Sequence, residues 1–333
     1  MSSEFNNNPR FESSLEELNE LINQIDNLKT SNDTLNIPVI LKLGHSRSGS
    51  TLFTQWMASL QVFAYPSNFL SLFYKSPSIG ARIFELMINE EYAYNKEFED
   101  LKNEVDFKSI SGKTSGLKSP NEFWKFWLEH FSFPYTPVSD GEFLKTANFK
   151  SFNREIELLN EVFKRPFIIK AHNINYYLNL FASNMNNAIY VHMYRDPIYV
   201  INSVINGRIR RWGDINHWFG WKPKEYEILR DMDVYHQVAG QVYFNEKAIL
   251  DRKDVLGDRY LNFSYEEFCA NPESVYHKII GKINNFTNIP ISKSYNGVSS
   301  FKPSSQLDNE LYTKIKKAYS HFTSNYGELS YSS

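Results

Sequence analysis

The chain has 333 residues, enough for one large α/β domain or two small ones. Its 36 Lys and Arg residues stand against 38 Asp and Glu, for a formal net charge of −2. Nucleic-acid binding is therefore not expected, because polyanion-binding proteins normally carry a large basic excess. The single cysteine, Cys269, excludes an intramolecular disulfide, and no apolar run reaches the roughly 18 residues of a membrane span. With no secretory signal at its start, the chain is expected to be cytoplasmic and free of membrane segments.

Residues 1–36 are expected to form an extension before the main domain. The Asn-rich start, Met1–Phe11, has the composition of a disordered segment, and Thr30–Asn36 has that of a linker. Between them, apolar residues at three- and four-residue steps predict an amphipathic helix capped by Ser13 or Ser14. These apolar residues are Leu15, Leu18, Ile22 and Ile25. The helix can pack on its own domain or pair with a second copy, so a homodimer is one expectation.

Residues 37–333 alternate between short apolar runs and helical patterns, which is typical of one α/β domain with a doubly wound parallel sheet. Strands are expected at Ile37–Leu43, Pro166–Lys170, Ala188–Tyr194 and Arg259–Ser264. Helices are expected after each strand, and long ones over Lys224–Arg252, Pro272–Asn285 and Asp308–Asn325. The aromatic-rich segment Ser67–Gly141 is expected to be mostly helical. Sheets of this class bind ligands at the carboxyl ends of their strands.

The segment GHSRSGST, residues 44–51, lies between the first predicted strand and an apolar helix. Backbone N–H groups at such a helix start, together with the helix dipole, hold phosphate oxygens. The nucleotide-triphosphatase pattern G-x-x-x-x-G-K-[ST] needs a lysine where Ser50 stands. Because that lysine neutralises the terminal phosphates, its absence counts against an NTPase or kinase. The cation of this loop is instead Arg47.

This loop resembles the 5′-phosphosulfate loop of sulfotransferases that use 3′-phosphoadenosine 5′-phosphosulfate (PAPS). The resemblance implies a P-loop-like sulfotransferase architecture. It also implies that the cofactor PAPS is bound by Arg47, Ser48, Gly49, Ser50 and Thr51.

A second motif follows the third predicted strand. It consists of Arg195-Asp196-Pro197 with Ser203 eight positions after Arg195, about two turns into the next helix. An arginine fork with a hydroxyl can hold an isolated phosphomonoester, although a helix start with a surface Arg–Asp pair also explains the pattern. The family resemblance implies that the phosphate held by Arg195 and Ser203 is the 3′-phosphate of PAPS.

The segment SYEEF after the fourth predicted strand resembles the family's Tyr-Glu-Asp-Leu segment, which implies that Tyr265 lies near the adenine. The family's adenine-stacking aromatic residue, just after the phosphate loop, is Leu52 in this chain. Trp56 and nearby aromatic side chains are alternative residues on which the adenine could stack.

Lys170-Ala171-His172 ends the second predicted strand, where alternation puts Lys170 and His172 on one side. A histidine pKa of about 6.5 suits proton acceptance near neutrality. The Lys-x-His pattern resembles the one that cytosolic sulfotransferases have at this place. The resemblance implies that His172 is the base and that Lys170, with Arg47, contacts the sulfuryl group. A helix-capping or core histidine is the alternative. No cluster has metal-ligand spacing, so no metal is expected.

A basic and aromatic stretch follows the Arg195 helix and comprises Arg208, Arg210, Arg211, Trp212, Trp218, Phe219 and Trp221. It is either a basic helix end followed by core aromatics or a lid over the acceptor pocket. Together with Ser67–Tyr135 it predicts a small-molecule acceptor in an aromatic-lined pocket. The expected activity is sulfuryl transfer from PAPS to a hydroxyl or amine. The alternatives are a P-loop small-molecule kinase and a catalytically silent nucleotide-binding module.

Overall fold

A parallel sheet lies at the centre of the computed structural model, which describes residues 9–26, 36–88, 107–109, 112–287, 290–303 and 307–331. The described residues form four strands in the order β2-β1-β3-β4, all paired in parallel. The strands are β1 (Val39–Leu43), β2 (Ile168–Lys170), β3 (Ala188–Tyr194) and β4 (Tyr260–Ser264). Each lies within an expected run, so the predicted α/β class with a parallel sheet is confirmed.

Helices cover both faces of the sheet, which is why its strands are apolar runs rather than alternating ones. The helices in the described ranges are α1 (Pro9–Asp26), α2 (Ser50–Ser59), α3 (Pro77–Ile88), α4 (Trp124–His130), α5 (Asp140–Leu144), α6 (Phe149–Phe163), α7 (Leu178–Asn184), α8 (Pro197–Trp212), α9 (Tyr226–Leu229), α10 (Val234–Leu250), α11 (Tyr265–Ala270), α12 (Pro272–Asn284) and α13 (Asn309–Tyr326). Over those ranges, none is both long and apolar enough to span a bilayer.

Successive residues of β1 face different helical layers. Val39, Leu41 and Leu43 pack in a core with α4, α6 and α7. Ile40 packs in the opposite core with α2, α11 and α12. A third core joins α8, α10 and α13. The strand is therefore buried along its whole length, and Lys42 is its one charged position.

The expected single helix over Lys224–Arg252 is wrong. The chain forms α9 and then α10, because the Asp233 carboxylate accepts hydrogen bonds from the backbone N–H groups of Tyr235 and His236 and starts a new helix. An aspartate N-cap of this kind stabilises a helix start by about 1 kcal/mol. The expected boundaries of α12 and α13 are correct to within one residue.

Helix α1 begins at Pro9, so the expected disorder through Phe11 and the expected caps at Ser13 or Ser14 are wrong. Proline is favoured in a first helical turn because its φ is already helical. The rest of the predicted disordered start and most of the predicted linker, residues 1–8 and 27–35, lie outside the described residues.

Helix α1 packs on its own domain, as one of the two sequence interpretations expects. Leu15 is buried, and the buried Asn19 side chain donates to the Leu72 carbonyl at 2.8 Å and accepts from the Lys75 backbone N–H at 3.2 Å. Glu16 and Glu20 both pair with the Lys75 ammonium at 2.5 Å. The pairing of α1 with α1 of a second copy of the chain stays a prediction.

Asn19 is expected to hold α1 in place, because its amide makes hydrogen bonds with the backbone of another segment. Asn19→Ala leaves those backbone groups without their partner, at a cost of about 1–3 kcal/mol. Amide hydrogen exchange across α1 should accelerate in this variant. Gln24→Ala, an exposed amide on the same helix, is the matched control and should exchange like the wild type. Equal exchange in both variants would contradict this docking.

Candidate active site

The loop of residues 44–51 joins β1 to α2 through left-handed backbone positions. Gly44 has φ 123°, Arg47 has φ 78° and Gly49 has φ 90°. A Cβ atom at Gly44 would lie 2.6 Å from the Met193 carbonyl oxygen, and one at Gly49 would lie 2.4 Å from the Tyr265 ring. Both positions therefore require glycine, and the loop lies directly against β3 and α11. Arg47 adopts a conformation that is uncommon outside glycine and that tends to occur at functional sites.

The two predicted phosphate motifs meet in space. The Arg47 Nε donates to the Ser203 Oγ at 3.1 Å, and the Arg195 Nη1 donates to the Arg47 carbonyl at 3.5 Å. The Arg195 guanidinium lies 4.4 Å from the Tyr265 ring centroid, a cation–π contact. Burial lowers the pKa of Arg47, and the charges of Arg210 and Arg195 lower it further. This part of the site is crowded with positive charge.

Lys170 and His172 lie beside the same loop, at the end of β2. The Lys170 Nζ donates to the Thr51 Oγ1 at 3.0 Å and pairs with the largely exposed Glu122 carboxylate at 3.4 Å. Burial holds the pKa of His172 well below its ordinary value, and the charges of Lys42 and Lys170 add to this effect. His172 is therefore neutral at pH 7.

An open cavity of about 770 Å³ lies at this edge of the sheet. The sequence-predicted residues that line it are Arg47, Gly49, Ser50, Thr51, His172, Arg195, Ser203 and Tyr265. Ser48 and Lys170 are buried beside it rather than lining it. The structure thus brings all the predicted site residues together, from loops that follow β1, β2, β3 and β4.

The basic and aromatic stretch begins in the last turns of α8 and continues beyond it, and each of the two interpretations is correct for part of it. Arg210, Phe219 and Trp221 line the cavity, and Trp124 from α4 packs edge-on against Trp221 with ring centroids 5.4 Å apart.

The remainder of that stretch does not line the cavity. Arg208 is fully buried, donates to the Ile215 carbonyl and the Gln237 side chain, and lies 5.0 Å from the Trp218 ring centroid. Trp56 is not a platform beside the cavity either. It is buried in the core and donates to the Tyr295 hydroxyl at 3.1 Å, whereas Leu52 lines the cavity.

Lys42 is a site residue that the sequence reasoning missed. It is 0% exposed, and its Nζ lies 3.3 Å from the Ser48 Oγ and 3.4 Å from the His172 Nε2. Burial lowers its pKa to about 7; the Glu246 carboxylate opposes this shift and the Lys170 charge adds to it. The available signal was one lysine inside the otherwise apolar strand VILKL.

A second missed group anchors the start of the loop. The buried Glu246 of α10 accepts from the His45 backbone N–H at 3.0 Å and contacts the His192 Nε2 at 2.9 Å. The His192 Nδ1 lies 2.7 Å from the Tyr260 hydroxyl. Burial raises the pKa of Glu246, but His192 and His45 outweigh it and hold the pKa below its ordinary value. Glu246 is therefore a carboxylate that opposes part of the positive charge under the loop.

Across the described part of the chain, no group of three or more His, Cys, Asp or Glu side chains is arranged to hold a metal ion. A model described as the sulfotransferase family matches residues 38–284, about three quarters of the chain. The chain belongs to the sulfotransferase family. The resemblance inferred from the loop motifs is thereby confirmed.

The chain is similar to several solved sulfotransferase structures at low sequence identity. Sulfotransferase STF9 from Mycobacterium avium is 12% identical with a TM-score of 0.50, covering 96% of this chain and 74% of its own. STF1 from Mycobacterium tuberculosis H37Rv is 12% identical with a TM-score of 0.49, covering 93% and 81%. The sulfotransferase domain of the Synechococcus PCC 7002 olefin synthase is 18% identical with a TM-score of 0.39, covering 88% and 98%. No curated protein sequence matches the chain. The likeness to STF9 shows the sulfotransferase fold, and it assigns no acceptor or residue role.

Lys42 is expected to destabilise the fold at neutral pH, because burial disfavours its charged form. Its pKa is about 7 in the folded chain and 10.5 ordinarily, so the unfolded chain binds more protons between these values and the penalty shrinks as pH rises. Lys42→Met should raise the free energy of unfolding by about 1–4 kcal/mol at pH 7. Denaturant unfolding should show this gain falling between pH 7 and pH 10.5.

Lys317→Met, at an exposed position on α13, is the control and should show no such pH dependence. A pH-independent difference for Lys42→Met would contradict the burial argument.

Proposed function

We propose that this sulfotransferase moves the sulfuryl group of PAPS to a hydroxyl or amine of a small molecule, releasing adenosine 3′,5′-bisphosphate. One observation carries the proposal: the glycine loop, the Arg195–Ser203 pair and the Lys170–His172 pair border a single cavity. Family membership supports the reaction class. The proposed catalytic domain is residues 37–333, with residues 1–36 as an extension. A cytoplasmic location is also proposed, on the single cysteine.

The residues present fit a donor that carries separate anionic groups. The guanidinium groups of Arg47, Arg195 and Arg210 share the cavity, and their mutual repulsion contributes to the lowered pKa of Arg47. A bound anion relieves this repulsion and gains charge-assisted hydrogen bonds. The N-terminus of α2 adds backbone N–H donors and the positive end of a dipole.

The loop residues Arg47, Ser48, Gly49, Ser50 and Thr51 would hold the 5′-phosphosulfate. Arg195 and Ser203 would hold the 3′-phosphate. Tyr265 would border the nucleotide, because its ring lines the cavity between Gly49 and Arg195. The contact between Arg47 and Ser203 supports one continuous binding surface for both anionic groups.

Bound PAPS supplies a sulfuryl group with a phosphate leaving group. His172 accepts the proton of the acceptor, a role that fits its neutral state at pH 7. Lys170, directed to the loop by its hydrogen bond to Thr51, and Arg47 offset the negative charge that develops during transfer. Trp124, Phe219 and Trp221 form an apolar wall of the cavity, which supports a partly apolar acceptor.

Adenosine 3′,5′-bisphosphate is expected to bind with micromolar affinity in calorimetric titration, and ATP and 5′-AMP much more weakly. Arg195→Ala should weaken bisphosphate binding by roughly 10- to 100-fold, because it removes charge-assisted hydrogen bonds, and should affect 5′-AMP less.

Arg211→Ala, on the same helix but outside the cavity lining, is the matched control and should leave the affinity unchanged. Equal or preferential binding of ATP would mean that the two-phosphate site is wrong and would favour a kinase. Bisphosphate binding without transfer to any of a broad acceptor panel would indicate a silent nucleotide-binding module.

His172→Ala should retain bisphosphate binding while sulfuryl transfer falls by ~10²-fold or more, since a positioned general base is lost. His277→Ala, an exposed histidine on α12, is the control for the substitution itself. Turnover of His172→Ala at the wild-type rate would exclude His172 as the base.

A further inference from the structure

The contact between Lys42 and His172 has a consequence for the proposed base. The Lys42 Nζ lies 3.4 Å from the His172 Nε2 and also donates to the Ser48 Oγ. Within the described part of the chain, the His172 Nδ1 makes no hydrogen bond to protein, and the ring lines the cavity. Nε2 is thus engaged by a buried lysine, which leaves Nδ1 as the nitrogen for an acceptor.

The protonation state of Lys42 decides whether Nδ1 can act as a base. A lysine ammonium has only donors, so it donates to Nε2 and requires the single ring proton of neutral His172 to sit on Nδ1. A protonated Nδ1 cannot accept a proton. A neutral Lys42 amine has a lone pair that accepts from Nε2–H while its own N–H still donates to Ser48. In that state the lone pair of Nδ1 is free.

We propose that Lys42 is the positioning residue of the base: its neutral amine selects the Nε2–H tautomer of His172 and takes up that proton during transfer. The proposal rests on sulfuryl transfer as the function. The acceptor O–H bond breaks as an Nδ1–H bond forms, and the Nε2–H bond breaks as an Nζ–H bond forms. The acceptor oxygen keeps the electron pair and forms its bond to sulfur as the sulfur–phosphate oxygen bond of PAPS breaks. The pair ends as neutral imidazole and lysine ammonium.

The groups around Lys42 bring its titration into the neutral range. Lys170 of β2 opposes its charge, Glu246 of α10 favours it, and Ser48 accepts its hydrogen bond. The charge of Lys42 in turn helps to lower the pKa of His45 in the loop. Burial, Lys170 and Glu246 together place the pKa of Lys42 at about 7, whereas the pKa of His172 stays well below the ordinary value. The proton exchanged near neutral pH therefore belongs to the lysine, and transfer should switch on as Lys42 is deprotonated.

Arginine and methionine at position 42 separate this role from a simple charge effect. In Lys42→Arg the guanidinium stays charged and always donates to the His172 Nε2, which keeps the ring proton on Nδ1. Transfer should therefore fall by ~10²-fold or more at every pH. Lys42→Met removes the charge and the relay, so transfer should fall by about tenfold and its rising limb should move below that of the wild type. If Lys42 served only to attract anions, Lys42→Arg would be the more active variant, and that result would overturn the proposal.

The kinetic test is the pH profile of kcat/KM for sulfuryl transfer, measured between about pH 5 and pH 9. The wild type should show a rising limb near pH 7, as should the exposed-lysine control Lys317→Met. An unchanged limb in Lys42→Met would overturn the proposal. Bisphosphate calorimetry and thermal unfolding check that each variant is folded. Lys42→Met decides the question even if the larger arginine is not accommodated in this buried position.

A measurement that needs no donor is nuclear magnetic resonance of isotope-labelled histidine, with the His172 signal assigned from His172→Ala. The ring should change from the Nδ1–H to the Nε2–H tautomer with a midpoint of about pH 7 in the wild type, and the change should be absent from Lys42→Met. A pH-independent tautomer in the wild type would overturn the proposal. A tautomer change in a protein that neither binds the bisphosphate nor transfers sulfuryl would support the Lys42–His172 coupling and overturn the proposed function instead.

Discussion

Positive charge held away from water at the carboxyl edge of the sheet is the constraint on which the site depends. Lys42 is fully buried and Lys170 nearly so, and Arg47 and Arg195 crowd the loop above them. Buried charge is costly unless it is paired, and Glu246 opposes only part of it. The consequences are a lysine that titrates near neutral pH, a neutral histidine beside it, and a cavity whose chemistry matches an anion.

The topology explains why these groups meet. In the strand order β2-β1-β3-β4, β2 lies on one side of β1 and β3 lies on the other. The direction in which the chain adds strands to the sheet therefore reverses after β2. Ligands bind in the crevice at such a reversal, outside the carboxyl ends of the strands. The glycine loop follows β1, Lys170 ends β2 with His172 two residues later, and Arg195 follows β3. Three separate parts of the chain therefore reach one cavity without any long loop having to place them.

The features that the sequence predicted are local in the chain. Buried parallel strands are short apolar runs, and residues 44–51 and the Arg195–Ser203 spacing each lie within one strand–helix unit. The missed groups depend on contacts between elements. Lys42 of β1 contacts His172, which follows the neighbouring strand β2. Glu246 contacts His45, about 200 positions earlier in the sequence, and His192, 54 positions earlier. The break between α9 and α10 was missed because the Asp233 cap interrupts a helical pattern that continues on both sides.

Lys42 departs from the rule that a central strand buried on both faces is apolar. A methionine at position 42, which has a similar length, would fit the strand and the packing around it equally well and would avoid the cost of a buried charge. Departures of this kind concentrate at functional positions, where stability is given up for activity. The departure at Lys42 is also specific in its chemistry, because an arginine would stay charged and an apolar residue would hold no proton. Of these side chains, only a buried lysine can both donate to Ser48 and exchange a proton with His172 near neutral pH, so one side chain links the proposed phosphate loop to the proposed base.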